Sequence, residues 1–472
     1  SESQERMLVV ARPDRELDVE RVFERWELHG VRIGTVTAQP ILEIVSESET
    51  VASLDPRHVA DGAPEYDVTT WAKAPTGSAS GLAADVSSGG AHVSPPVQSD
   101  DQHEGKRVPV VETTGPFLDL GSRAGRSSAD AGALHKIGLE LLDLLASPAV
   151  ASRRVLYRTY DQMVGTDTVV GPGGDAGVMR IKGRKDGIAV AIDTQPRVAA
   201  IDPFVGAAAA VAEATRNVVC AGATPLAITD CLNLGNPERP TGAWQLERTV
   251  AGIKAACEAL GVPVVSGNVS LYNATRGADI WPTAMIGVVG HLTDVAAHIP
   301  VTSGRPGDAV LLAGNAAVSV GTSAYGAQIG VHEGPVSVDL ALEARLQRFV
   351  LDAHRRGLVR AAHDRAEGGL GVALAELALR DGVGMRVTLP AVRGVDKRVA
   401  LFGEAPSGVV LVADPADVEA LRACAAEHDV PIWTLGVMGG DLLEVAPVLG
   451  TPLASLRQAY ERGLSRSLGR ES

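Results

Sequence analysis

Two short stretches gather side chains that suit phosphate and hard cations. In "ITDCLNLGNPERP", residues 228–240, an apolar run delivers Asp230, Asn233, Gly235 and Asn236. In "VVSGNVSLYN", residues 264–273, another delivers Gly267, Asn268, Ser270 and Asn273. Mg²⁺ takes one or two carboxylates or amide oxygens and fills its shell with phosphate oxygens and water. Glycines let backbone N–H groups approach phosphate closely. Each stretch reads as a strand with its polar residues toward the C-terminal end, the ligand side of α/β sheets.

Other candidates are scattered. Asp161, Asp167, Asp175, Asp193 and Asp202 stand in or beside turns, with Gly171, Gly173 and Gly174 among them. For any one of them turn-making is the plainer role. "GPGGDAG" (171–177) looks like a glycine-rich phosphate loop but lacks the GxGxxG spacing, and no GxxxxGK[ST] motif is present. His363-Asp364 is a candidate catalytic pair, although neighbours on an extended chain point to opposite faces. No cysteine sits in a sharp glycine-flanked turn of the kind a glutaminase nucleophile needs, so the chain is not expected to make ammonia from glutamine.

Alternating elements must position these residues. "VMRIKG" and "GIAVAID" read as strands. "VGAAAAVAEATRNVVCAGA" is a helix of small residues ended by Gly222, and "AWQLERTVAGIKAACEAL" is an amphipathic helix stopped by Gly261. "PTAMIGVVGHL" is a further strand. This is an α/β or α+β layer pattern. A helix is expected at about 133–146. Further on, "AVLLAG" and strands near 385–389 and 408–413 alternate with helices near 340–356, 368–379 and 416–427.

The chain also repeats itself. Adding 402 sets Glu2 on Glu404, Val10 on Val412 and Pro13 on Pro415; one residue less sets Ile41–Ile44 on Leu442–Val445. A sustained offset means two copies of one supersecondary unit. The first copy is expected to run strand (7–11), helix (16–29), strand (31–37), strand (41–45), and to be the end of a domain whose start lies outside this chain. The boundaries expected are 1–60 for that partial domain, 61–132 for a Gly/Ser/Pro-rich linker, 133–300 for a nucleotide-type domain, 301–448 for a complete second copy of the partial domain, and 449–472 for a tail helix.

Composition excludes some classes. A net charge of −14 lacks the basic footprint of a nucleic-acid binder, and 3% aromatics provide no base-stacking platform. No apolar run is long enough to span a membrane. Four scattered cysteines without a CxxC pair suit a reducing compartment, so a cytoplasmic protein is expected.

The stretches "SPAVASRRVLYRTYDQMVGTDTVVGPGGDAGVMRIKG", "RNVVCAGATPLAITDCLNLGNPERP" and "PVVSGNVSLYNATRG", with "SESQERM" at the start, closely resemble phosphoribosylformylglycinamidine synthase, synthetase subunit. The resemblance covers nearly everything but the linker. It implies aminoimidazole-ribonucleotide-synthetase-like domains: one A-type domain, with one complete and one partial B-type domain, the A-type units pairing in the family into a shared barrel. It implies ATP-dependent amidation of formylglycinamide ribonucleotide in purine biosynthesis, with ATP and Mg²⁺ as cofactors. Ammonia would come from a glutaminase subunit, with a small bridging subunit in many relatives. Carried over, nucleotide contacts fall on Asp230 and Gly267, a Mg²⁺ ligand on Asn268, and substrate contacts on Glu2, Ser3, Gln4 and Ser270. The family's catalytic histidines match nothing here, so no catalytic residue is assigned and the chain alone is expected to be inactive. Two departures stand out: a family His-Asp-Val-Ser-Asp-Gly-Gly reads His363-Asp364-Arg365-Ala366-Glu367-Gly368-Gly369, and the second Glu-Ser-Gln reads Glu404-Ala405-Pro406. The alternatives are a non-catalytic nucleotide-holding structural half of the same assembly, or a related ATP-dependent synthetase of the same fold.

Overall fold

The computed structural model describes residues 7–62, 72–73, 128–302, 304–390 and 395–470. The expected linker therefore lies almost wholly outside the described residues. The chain divides into two units, Ser1–Asp67 and Val68–Ser472.

In the first unit, helix α1 (Glu16–Arg25) is followed by a hairpin of β1 (Leu42–Ser46) and β2 (Glu49–Leu54), then by the short α2 (Pro56–Ala60). The strands expected at 7–11 and 31–37 are not formed. A strand needs a neighbour to receive its backbone hydrogen bonds, and no described strand pairs with either segment. Their apolar side chains stay in the open, with Met7 84% and Ile33 80% exposed.

The second unit begins with α3 (Ser128–Leu145) and α4 (Arg154–Tyr157). Strands β3 (Thr168–Val170), β4 (Gly177–Arg180) and β5 (Gly187–Thr194) follow, then α5 (Pro196–Ile201), α6 (Pro203–Cys220), β6 (Thr224–Asn233), α7 (Pro240–Leu260) and β7 (Val264–Ser270). A small hairpin, β8 (Ala274–Thr275) and β9 (Ala278–Asp279), precedes β10 (Thr283–Leu292). These strands build a six-stranded sheet of order β3-β4-β5-β10-β6-β7, parallel only between β6 and β7.

Helix α6 starts where the Asp202 carboxylate accepts from the N–H groups of Phe204 and Val205. Helix α7 ends on Gly261, whose φ of +69° suits glycine. A Cβ at Gly252 would meet the Phe204 carbonyl oxygen at 2.2 Å, so glycine lets the two helices touch. They cover one sheet face: Ala189, Ala191, Ile286 and Val288 are buried there with Val211, Val218 and Ile253. Between them on the strands, Val190, Ile192, Met285 and Val289 point to the other face and are 37–71% exposed.

The rest of the unit is β11 (Ala309–Gly314), α8 (Ala324–Ile329), α9 (Leu340–Arg355), β12 (Ala361–Asp364), α10 (Gly369–Asp381), β13 (Met385–Thr388), α11 (Lys397–Phe402), β14 (Gly408–Ala413), α12 (Val418–Glu427), β15 (Ile432–Met438), β16 (Leu442–Ala446), β17 (Leu449–Pro452) and α13 (Leu453–Ser467). Its seven-stranded sheet has the order β12-β14-β11-β15-β13-β16-β17, and β12, β14 and β11 are buried on both faces. Val310, Leu312, Val410 and Val412 face a core with α3, α10 and α11, while Leu311, Val409 and Leu411 face a second core with α9 and α12. The leucines of α3 thus join this sheet, not the sheet that follows them in sequence. No described helix is long and apolar enough to cross a membrane.

Candidate functional site

Asp230 on β6 stands in register with Gly267 on β7, Cys231 with Asn268, and Asn233 with Ser270. A Cβ at Gly267 would lie 2.6 Å from Asp230 Oδ1, so glycine is what lets the carboxylate lie against the neighbouring strand. Partial burial pushes the Asp230 carboxyl up from its ordinary value. Registered residues share a face and successive residues alternate. Asp230 and Gly267 therefore lie on the helix-covered side with Ile228 and Leu232, while Asn268 and Ser270 lie on the open side with Cys231 and Asn233. The Asn268 amide nitrogen approaches Cys231 Sγ at 3.9 Å. The Asn273 amide holds Ser270 by its carbonyl oxygen (2.9 Å) and hydroxyl (3.1 Å), and reaches the Leu234 carbonyl at 3.1 Å. Because β7 is an edge strand, a ligand lying along that edge reaches both faces. The structure thus brings Asp230, Gly267, Asn268 and Ser270 to one sheet edge and divides them between its faces.

Glu2, Ser3 and Gln4 lie outside the described residues. Glu404, the counterpart of Glu2, is half-buried, and its Oε1 accepts from the Gly368 N–H (2.6 Å) and the Ala324 N–H (2.8 Å). Burial, then Glu367, push its carboxyl up to about 8.

A cavity of about 800 Å³ opens elsewhere, where the two sheets meet. It is lined by the 171–177 loop, the end of β5, one side of α6, and the turn from β12 into α10. Ligand oxygens of Asp193, Glu213 and Glu367 there lie within 4.8 Å of one another, the carboxylate set that could hold a divalent cation. Asn217 donates to Asp193 at 2.8 Å and Gln195 donates to Glu213 at 2.6 Å. Burial, then repulsion from Glu367 and Asp364, push Asp193 up to about 8, and burial raises Glu213 and Glu367 as well. Of these three acids the sequence offered Asp193 as a candidate, Glu367 only within a departure from the family motif, and Glu213 not at all.

Ion pairs fix this meeting of sheets. Arg216 on α6 donates to Asp364 at 2.5 Å and to Glu343 on α9 at 2.8 Å, all three buried. His363 Nδ1 lies 2.6 Å from Asp175 of the 171–177 loop and Nε2 lies 2.9 Å from Glu376 on α10. Burial and the nearby Arg380 oppose a charge on this imidazole; the two carboxylates prevail and lift it to about 9. His363 and Asp364 do diverge, each into its own ion pair, so they do not act as one catalytic pair. Arg365 is buried too, donating to the carbonyls of Asn315 (2.8 Å) and Ala405 (3.1 Å).

Residues 173–292 match the family of the AIR synthase related protein, N-terminal domain, and residues 305–445 that of its C-terminal domain. A phosphoribosylformylglycinamidine synthase subunit PurL of Thermomicrobium roseum is 39% identical over 99% of this chain and 58% of its own length. One from Moorella thermoacetica is 38% identical over 94% of this chain and 55% of its own. The chain thus spans little more than half the length of these relatives. The structure of T. maritima PurL complexed with FGAR superposes on 70% of this chain and 56% of its own with a TM-score of 0.57 at 20% identity, a likeness of fold. T. maritima PurL complexed with ATP does so with a TM-score of 0.54 at 22% identity, covering 70% of this chain and 55% of its own.

Proposed function

We propose, for a chain that belongs by homology over nearly its whole length with the PurL subunits of phosphoribosylformylglycinamidine synthase, that it carries part of the site for ATP-dependent amidation of formylglycinamide ribonucleotide in cytoplasmic purine biosynthesis. The observation that carries this reading is the β6–β7 edge: Asp230 lies against Gly267, with Asn268 and Ser270 beside them.

In this reading the nucleotide lies along that edge against Asp230 and the bare backbone of Gly267. Ser270, oriented by Asn273, contacts the ribonucleotide together with Glu2, Ser3 and Gln4. Asn268 offers one hard amide oxygen, which fits Mg²⁺ when phosphates complete the shell; the metal would offset charge in phosphoryl transfer. The amide oxygen of the substrate takes the γ-phosphoryl group and ADP leaves. Ammonia then forms the new C–N bond and phosphate departs with the oxygen. No residue of this chain is given the acid–base work. A glutaminase subunit and a small bridging subunit are the proposed partners; a structure of PurLQS from T. maritima shares the fold (TM-score 0.54). The open apolar face around Val190, Ile192, Met285 and Val289 suits pairing with another A-type sheet.

The cavity favours a second reading, a nucleotide held for structural reasons. Its carboxylates could bind a cation–phosphate group between the two sheets without chemistry.

Calorimetric titration with Mg·ATP separates the readings. The first expects Mg²⁺-dependent binding weakened at least about tenfold, or 1.4 kcal/mol, in Asp230→Ala and in Asn268→Ala. Binding unchanged in both, yet lost in Glu367→Gln, would replace it with the second.

A further inference from the structure

Away from both sites, Asp352 on α9 and Cys424 and His428 of α12 and its C-cap converge on the outer side of the second sheet. Asp352 Oδ2 lies 3.0 Å from His428 Nε2 and 3.7 Å from Cys424 Sγ, and the three ligand atoms lie within 4.8 Å of one another. Cys424 and His428 are four apart, so they stand on one face of the helix, one turn after the other.

We propose that Asp352, Cys424 and His428 form a binding site for a thiophilic divalent metal, Zn²⁺ being the ion the donor set fits. A thiolate, an imidazole and a carboxylate are the usual zinc ligands, at about 2.3 Å for sulfur and about 2.1 Å for nitrogen and oxygen. A tetrahedron with those radii has edges of about 3.6 Å between sulfur and oxygen and about 3.4 Å between oxygen and nitrogen. The present separations of 3.7 Å and 3.0 Å are within half an ångström of them. Mg²⁺ and Ca²⁺ want oxygen ligands and are disfavoured by the sulfur.

The surroundings allow it. The Cys424 side chain is buried, while those of Asp352 and His428 keep 20% and 23% of their surface, enough for the metal to enter and keep a water as its fourth ligand. Arg356 donates to Asp352 Oδ2 at 2.7 Å, which competes with a cation; it also grips Glu427 at 2.5 Å and 3.2 Å, so it has a partner to keep when the metal takes Asp352. Arg355, 3.6 Å from Asp352 Oδ1, can stay on that oxygen. The charges then balance: Zn²⁺ against the Asp352 carboxylate and the Cys424 thiolate, Arg356 against Glu427. Burial holds the free thiol up near 11; zinc coordination drives that proton off, so binding releases it to the buffer.

The test uses the whole chain with Zn²⁺ alone and then Co²⁺ alone. After dialysis against a competing chelator, one Zn²⁺ should remain per chain, and Co²⁺ should give a tetrahedral spectrum with a thiolate-to-metal band. Cys424→Ser should remove that band, and His428→Gln should weaken zinc at least about tenfold, while Cys257→Ser changes neither. The wild-type cobalt spectrum reads the site without any variant, and His428→Gln alters a part-exposed side chain, so misfolding of Cys424→Ser does not blunt the test. No retained zinc in the folded wild type, an octahedral cobalt spectrum without a thiolate band, or full binding by folded Cys424→Ser would each overturn the assignment.

Discussion

Asp193 and Asp230 stand in one row across the first sheet, each in register with the buried Ile286 between them. Registered residues share a face, so both carboxylates lie on the helix-covered side, two strand spacings or roughly 10 Å apart. Their settings differ. Asp193 lies beside Glu213 and Glu367 in the cavity, while Asp230 sits at the sheet edge against Gly267. One row therefore carries two candidate anion–cation sites, and substitutions can address them separately.

Gly267→Ala addresses the edge. The new methyl would stand 2.6 Å from Asp230 Oδ1 and must push the carboxylate aside. β7 is an edge strand whose residues are mostly exposed, so the fold should survive with a loss within about 1 kcal/mol. Mg·ATP affinity, measured by calorimetry, should fall about tenfold. Unchanged affinity in a folded variant would remove Gly267 and Asp230 from the nucleotide site.

Asp193→Asn addresses the cavity. Three carboxylates, Glu213 buried and Asp193 and Glu367 half-buried, repel one another, and the raised Asp193 shows the native state keeping a proton that the unfolded chain sheds near pH 4. Stability without metal should therefore fall as pH rises from about 4 to about 8. Mg²⁺ should restore it, and more strongly at the upper end, where protons no longer compete. In Asp193→Asn the metal-free protein should be more stable near pH 8 and the Mg²⁺ effect on Tm should shrink. A Tm rise with Mg²⁺ equal in both proteins would place the ion elsewhere.

Local signals made the elements legible. Asp202 and Gly261 bound their helices as capping chemistry requires, and α1 and α12 cover matching spans, Glu16–Arg25 and Val418–Glu427, at the repeat offset of 402. The strands at 7–11 and 31–37 were misread because alternating apolar residues state a preference, while a strand also needs a partner. In the second copy β14 and β15 flank β11 and do form. The edge site was legible because its residues come from two consecutive polar strand ends. The cavity was not, because it is assembled across the fold: Arg216 meets Asp364 from 148 residues away. One signal was present. Glu213 and Arg216 interrupt a helix of small apolar residues that is buried nearly throughout, and buried charges of that kind need partners or ligands.

His363 ties the 171–177 loop to α10, and its protonation should govern how firmly the cavity is held. The groups facing it are Asp175, Glu376 and Arg380, with the Tyr460 hydroxyl on Glu376 at 2.9 Å. The folded protein keeps the imidazolium up to about pH 9, the unfolded chain only to about 6.5. The contribution is thus complete below pH 6.5 and is lost as pH rises through 9. His363→Gln keeps a hydrogen-bonding side chain but removes the charge, leaving the Asp175 and Glu376 carboxylates to Arg380, with the Tyr460 hydroxyl still on Glu376. Urea unfolding at pH 7 should report a loss of about 3 kcal/mol, the scale of a broken buried pair. By about pH 10 wild type and variant should converge, since the wild-type imidazole is then neutral as well. An equal loss at both values would mean that His363 acts by packing and shape, and the loop would owe its position to Arg380 and Asp175 instead.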